Sequence, residues 1–216
     1  MGAIWIITSP RRAFDYIREK KSFLVPFVIV CVVNILFFLV ISPIQMELME
    51  DRLPPEAIQM QRGVGRIVGV VSIPVGVVIG WLIYALVIWV LMAAAGGKWD
   101  YRTAFSLVGH VGIIGSIQKL LSIPVVWMRR DVIASFTDLH PSFGPAIFYT
   151  GDNMKILSFL RGLDIFSIWA IVLLILGAAH LSGVKKRVSA WLIGSLYVLV
   201  LIIQALFAGL RIPGQG

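Results

Sequence analysis

Apolar residues in this chain fall in long uncharged runs rather than at a strand or amphipathic-helix period. A bilayer core takes about 20 apolar residues of helix per crossing, and five runs reach that length. The pattern predicts spans over about 22–42, 67–94, 104–128, 163–182 and 188–209, with 210–216 as a short tail. The expected fold is all-α, a polytopic membrane protein of five transmembrane helices. Pro74, with Gly76 and Gly80, predicts a kink or tilt in the second span.

Residues 1–21 follow a different pattern. Ile4-Trp5-Ile6-Ile7 is too short to span, and Thr8-Ser9-Pro10 reads as a helix start, with Ser9 as N-cap and Pro10 at the first helical position. Ala13, Phe14 and Ile17 then share one face, flanked by Arg11, Arg12, Arg18 and Lys20. That arrangement predicts an interfacial amphipathic helix on the membrane surface. In the longest loop, 129–162, residues 154–161 have the same amphipathic spacing. Trp5, Trp81, Trp89, Trp99, Trp127, Trp169 and Trp191 mostly fall near predicted span ends, as an aromatic belt would.

Composition agrees with the runs. Of 216 residues, 59% are hydrophobic and 14% charged, against roughly half and a quarter in a soluble domain. Neither long loop is large enough to build its own core. The first span follows a basic segment but ends in Ile41-Ser42-Pro43-Ile44, without a small-x-small cleavage pattern, so a retained span is expected rather than a signal peptide. Cys31, the single cysteine, excludes an intrachain disulfide and a multi-cysteine metal site.

The net charge is +8, and the basic residues flank the apolar runs. That is how membrane proteins set their orientation, and no interleaving of aromatic and basic residues points to nucleic acid. With five spans, the N-terminus and the loops at 95–103 and 183–187 share one side, carrying five, two and three Lys/Arg. The opposite side carries three, four and one over nearly twice the length, and seven of the eleven acidic residues lie in its two long loops. The N-terminus is expected in the cytoplasm and the C-terminus outside.

Polar residues inside spans are candidate functional positions. At about 1.5 Å per residue, Asn34, Gln118, Lys119 and Gln204 fall in one layer roughly 18–24 Å from the cytoplasmic end of their spans. Two readings fit that layer: a cluster that binds an ion or small polar group, or interhelical hydrogen bonds with Lys119 reaching toward the interface. His110 and His180 approach the cytoplasmic side from two spans, with Asp100 nearby, but without local metal-ligand spacing they read as interfacial histidines. Asp164 opens the fourth span, where a carboxylate caps the helix or counters Lys119. Gly63-Val64-Gly65 and Gly112-Ile113-Ile114-Gly115 read at most as packing sites. No catalytic triad, zinc-protease helix or phosphate-binding glycine loop occurs, so no enzyme activity, cofactor or metal is expected.

Three segments together resemble a known family. They are Ile7-Thr8-Ser9-Pro10-Arg11-Arg12-Ala13-Phe14 before the first span, Gly97-Lys98-Trp99-Asp100-Tyr101-Arg102-Thr103-Ala104-Phe105 entering the third, and Leu163-Asp164-Ile165-Phe166-Ser167-Ile168-Trp169 with Leu173 and Gly177, followed by Lys185-Lys186-Arg187. The arrangement resembles the Yip domain family of Ypt/Rab-interacting membrane proteins, in particular its short prokaryotic members. The resemblance implies five spans, a cytoplasmic N-terminus and a place in a prokaryotic cell membrane. The chain lacks the Asp-Leu-Tyr-Gly-Pro motif and longer N-terminal region of eukaryotic members, so GTPase binding is not carried over. The function expected is non-catalytic, organising a membrane or a partner protein. The alternative is a small transporter or channel component using the intramembrane polar layer. The expected partners are the lipid bilayer and either another membrane protein or a second copy of the chain.

Overall fold

The computed structural model describes residues 2–50 and 53–208; the tail predicted at 210–216 and the last residue of the fifth predicted span lie outside them. Among these residues, five helices are long and apolar enough to cross a membrane. They are α3 (Leu24–Glu47), a 40-residue helix over Pro55–Ala94, α6 (Tyr101–Met128), α8 (Ile165–Ser182) and α9 (Lys186–Ala208). The short helices are α1 (Trp5–Thr8), α2 (Pro10–Lys20) and α7 (Met154–Gly162).

The second crossing is longer than the hydrophobic run predicts. It comprises α4 (Pro55–Met60), a π-helical turn over Gln61–Gly65 and α5 (Arg66–Ala94). The later part of the loop expected between the first two spans, Glu56 included, is therefore helical, with Pro55 in the first turn. At 1.5 Å per residue the whole helix is about 60 Å long, twice the hydrocarbon thickness, so part of it projects or tilts. Pro74 lies inside α5 without ending it, and a π-helical turn precedes α5 at Gln61–Gly65.

α6 is the centre of the bundle. It packs on α3, α5 and α8, while α9 closes the far side against α8, α7 and α5. Glycines on α6 set the approach of α5. The Trp81 ring covers Gly109 and Gly112, and a β-carbon at 109 would come within 2.7 Å of it. Trp81 also meets Phe105 and Phe27 edge-on, at 5.9 and 6.1 Å between ring centroids. Trp81 is buried in the core and is not part of the aromatic belt, whereas Trp127 and Trp191 are exposed.

The N-terminal helix is amphipathic, but protein covers its apolar face. Ala13, Phe14 and Ile17 are buried against α8 and α6, with Ile6 of α1 fully buried beside them in the same core. Burying an aliphatic or aromatic side chain of this size stabilises by roughly 1.5–3 kcal/mol relative to water, so α2 is held as part of the bundle. Its charged residues Arg11, Arg12, Arg18 and Lys20 remain exposed. Ser9 occupies the N-cap position and Pro10 the first turn, without a side-chain capping hydrogen bond. Lys21 ends α2 in the left-handed conformation, φ 47°, turning the chain into α3.

Candidate functional site

The intramembrane polar layer resolves into a pair and two outliers. Lys119 Nζ on α6 donates to Asn34 Oδ1 on α3, and Asn34 Nδ2 donates to the Val30 carbonyl one turn back at 2.7 Å. The ammonium also lies 5.9 Å from the centroid of the Phe37 ring, within cation–π range. Lys119 is thus bridged to the neighbouring helix by an amide and an aromatic face, with no carboxylate in ion-pair range among the described residues. Gln118 is partly buried on the same helix, and its carbonyl accepts from Ser122 Oγ at 2.9 Å. Gln204 is exposed on α9, which packs on α5, α7 and α8 rather than on α3. Equal depth placed these residues in one layer; azimuth around each helix separates them, because Gln204 lies on an exposed face of α9.

Asp164 is bound up in local structure. It is 1% exposed, and its Oδ1 accepts from the Phe166 amide at 2.9 Å as the N-cap of α8. Oδ2 accepts from the Phe143 amide. The carboxylate therefore clasps the 129–162 loop to the start of α8 and forms no ion pair with Lys119.

The two histidines both face α2, through different partners. His110 is fully buried on α6; its Nδ1 lies 2.8 Å from the Ser106 carbonyl, and its ring meets Tyr16 edge-on at 6.3 Å. His180 ends α8, with Nε2 2.8 Å from Asp15 Oδ1 and its ring 5.8 Å from Phe14. No group of three or more His, Cys, Asp or Glu among the described residues is placed to hold a metal ion.

These contacts belong to a junction where the three motif segments meet. Phe14 lies against Gly177, where a β-carbon would come 2.9 Å from its ring. Arg18 donates to the His180 carbonyl at the end of α8, as a cation does at a helix C-terminus. Lys21 pairs with Asp100 at 2.9 Å, and Asp100 also accepts from Thr103. Burial works to raise the Asp100 pKa, but the hydrogen bonds from Lys21 and Thr103 outweigh it and hold the carboxyl below its ordinary value. The Lys98 amide donates to the Ser182 carbonyl at 2.9 Å, tying the α5–α6 loop to the end of α8. Gly183 takes φ 78° there, ending α8 in the left-handed turn that glycine adopts most readily. The basic N-terminal helix was legible in the sequence. Its partners Asp15, Tyr16 and Phe14 for the histidines were not, since no local spacing links residues more than ninety positions apart.

None of the cavities between α3 and α5, at the α2 junction, or behind α7 is lined by Asn34, Gln118, Lys119 or Gln204. Fold and junction together define a polytopic α-helical membrane protein with an N-terminal helix docked on its central helices. The chain belongs to the Yip1 domain family, whose model matches residues 4–208. It is also similar to the membrane protein YknW of Bacillus subtilis (strain 168), 25% identical over 213 residues, covering 95% of this chain and 88% of that protein. No solved structure matches it.

Proposed function

We propose that this protein is non-catalytic and organises a membrane or a partner protein through the exposed face of its docked N-terminal helix. The observation that carries this reading is the seating of α2 against α6 and α8. Its apolar face is spent on α6 and α8, which leaves Arg11, Arg12 and Lys20 held outward on a fixed frame. In the orientation proposed from charge density, with the N-terminus in the cytoplasm, that face meets the anionic leaflet or a cytoplasmic partner segment. The contact of Lys119 with Asn34 and Phe37 favours this reading over a solute pathway, because this cation, deep in α6, is used between helices.

The experiment is affinity purification of the full chain after crosslinking in cells, beside a variant with Arg11, Arg12 and Lys20 changed to Gln. Recovery of a stoichiometric partner by the parent and its loss in a still-folded variant supports the reading. Unchanged partner recovery and unchanged membrane distribution in the variant would remove it.

A further inference from the structure

The 129–162 loop contains a short helical turn, Pro145–Phe148, whose larger apolar side chains are uncovered. Ile147 is 62% exposed and Phe148 85%. The turn is nonetheless fixed to the bundle. Just before it, the Phe143 amide donates to the Asp164 carboxylate, and the Phe143 carbonyl accepts from the Ile165 amide at 3.4 Å. The Phe143 ring meets Phe166 edge-on at 5.4 Å. At Gly144 the two backbones cross so closely that a β-carbon would stand 2.8 Å from the Leu163 carbonyl oxygen and 2.9 Å from the Asp164 Cα. The turn therefore sits at the level where α8 begins.

That level is set by helix length. α8 has 18 residues, about 27 Å at 1.5 Å per residue, slightly less than the roughly 30 Å of hydrocarbon that a crossing traverses. Its neighbour α9 is longer. The Gly162 carbonyl, at the end of α7, accepts from Tyr197 Oη, and the Leu201 side chain lies against Gly162. From Leu201, α9 runs on to Ala208, past the start of α8. The turn thus lies beside the span and not beyond it. Its apolar side chains continue an exposed apolar line on α8, formed by Ile165, Ile168 and Val172. Pro145 brings no N–H, and the Ile147 and Tyr149 amides donate within the turn, to the Gly144 and Ala146 carbonyls at 3.1 and 3.3 Å, which lowers the cost of removing this backbone from water. Polarity then rises along the chain. Tyr149 follows Phe148, and its hydroxyl accepts from the Asn153 amide at 3.2 Å; Gly151, Asp152 and Asn153 are exposed. Apolar, then tyrosine, then polar is the order in which a chain leaves hydrocarbon through the interface into water.

We propose that the Pro145–Phe148 turn inserts into the lipid leaflet at the end of the bundle opposite α2, with Ile147 and Phe148 in contact with acyl chains. It anchors the long loop to the bilayer. The inference does not depend on the reading of α2, which meets the other end of α8 at His180.

The test is nitroxide labelling of the full chain, carrying Cys31→Ser, in phosphatidylcholine–phosphatidylglycerol liposomes. Labels go on Ile147→Cys and Phe148→Cys separately, so that either reports if the other fails to fold. Val172→Cys serves as the reference within α8 and Asp152→Cys as the reference for water. Collisions with oxygen, which concentrates in hydrocarbon, are compared with collisions with a water-soluble nickel chelate. Labels at 147 and 148 should favour oxygen, as at 172, while the label at 152 favours nickel. Nickel accessibility at 147 and 148 equal to that at 152 would overturn the proposal. So would dipolar broadening at 147 and 148 that disappears on dilution with unlabelled protein, which would assign the turn to a second copy of the chain.

Discussion

Phe14 of α2 and Gly177 of α8 fit as knob and notch: a β-carbon at 177 would stand 2.9 Å from the Phe14 ring. The contact joins a helix outside the membrane to one that crosses it, and it defines what keeps the N-terminus in place. Phe14→Ala should destabilise the docked state by about 3 kcal/mol, and Gly177→Val should lever α2 away. Trypsin cleavage at Arg11, Arg12 and Arg18 reads this, since cutting a docked helix needs local opening. Both variants should be cut faster than the parent. Equal rates would mean that α2 is not held by this contact.

The Lys21–Asp100 pair gives the junction a pH dependence with a definite sign. The folded-state pKa of Asp100 lies below its ordinary value. Its contribution to stability is therefore complete above the unfolded value, about pH 4, and is lost as pH falls through the lowered folded value. Thermal unfolding of the parent should lose stability on acidification through that window. Asp100→Asn should flatten the curve there, and an identical curve for both would contradict the assignment.

Asp164 should matter through its hydrogen bonds. Asp164→Ala leaves the Phe143 and Phe166 amides without their acceptor, at about 1–3 kcal/mol. Asp164→Asn keeps one oxygen and should fall between parent and Ala in thermal unfolding. If Ala and Asn match the parent, the carboxylate is not the clasp described.

Topology can be read by labelling. With Cys31 replaced by Ser, Lys98→Cys and Lys186→Cys should react from the side on which the N-terminus lies, and Glu56→Cys and His140→Cys from the other. Labelling of 56 and 98 from one side would contradict five crossings.

Much of this fold is legible in the runs themselves. The five crossings, the amphipathic α2 and its Pro10 start follow from residue type and spacing alone. What escapes is azimuth and long-range pairing. Asn34 and Lys119 meet because their helices face one another, while Gln204, at the same depth, is exposed on a helix that does not pack on α3. The burial of α2 against protein is equally silent in the sequence, because an apolar face reads the same whether lipid or a helix covers it. The helical stretch before α5 was hidden by its charges, which mark a loop by composition yet fit an exposed helix.

The central claim is that the Lys119–Asn34 pair serves a contact between helices and not the passage of a solute. Lys119, held by Asn34 and Phe37, is where that claim is most exposed. A charge at mid-span is unfavourable by about 2.5–3.5 kcal/mol on insertion scales, so Lys119→Met should leave stability unchanged or raised. The deciding measurement is flux into proteoliposomes holding the parent or Lys119→Met, followed for protons, potassium and a panel of small polar solutes. The account predicts rates equal to protein-free vesicles for both proteins. Saturable flux by the parent, abolished in a stable Lys119→Met and partly restored in Lys119→Arg, would contradict it.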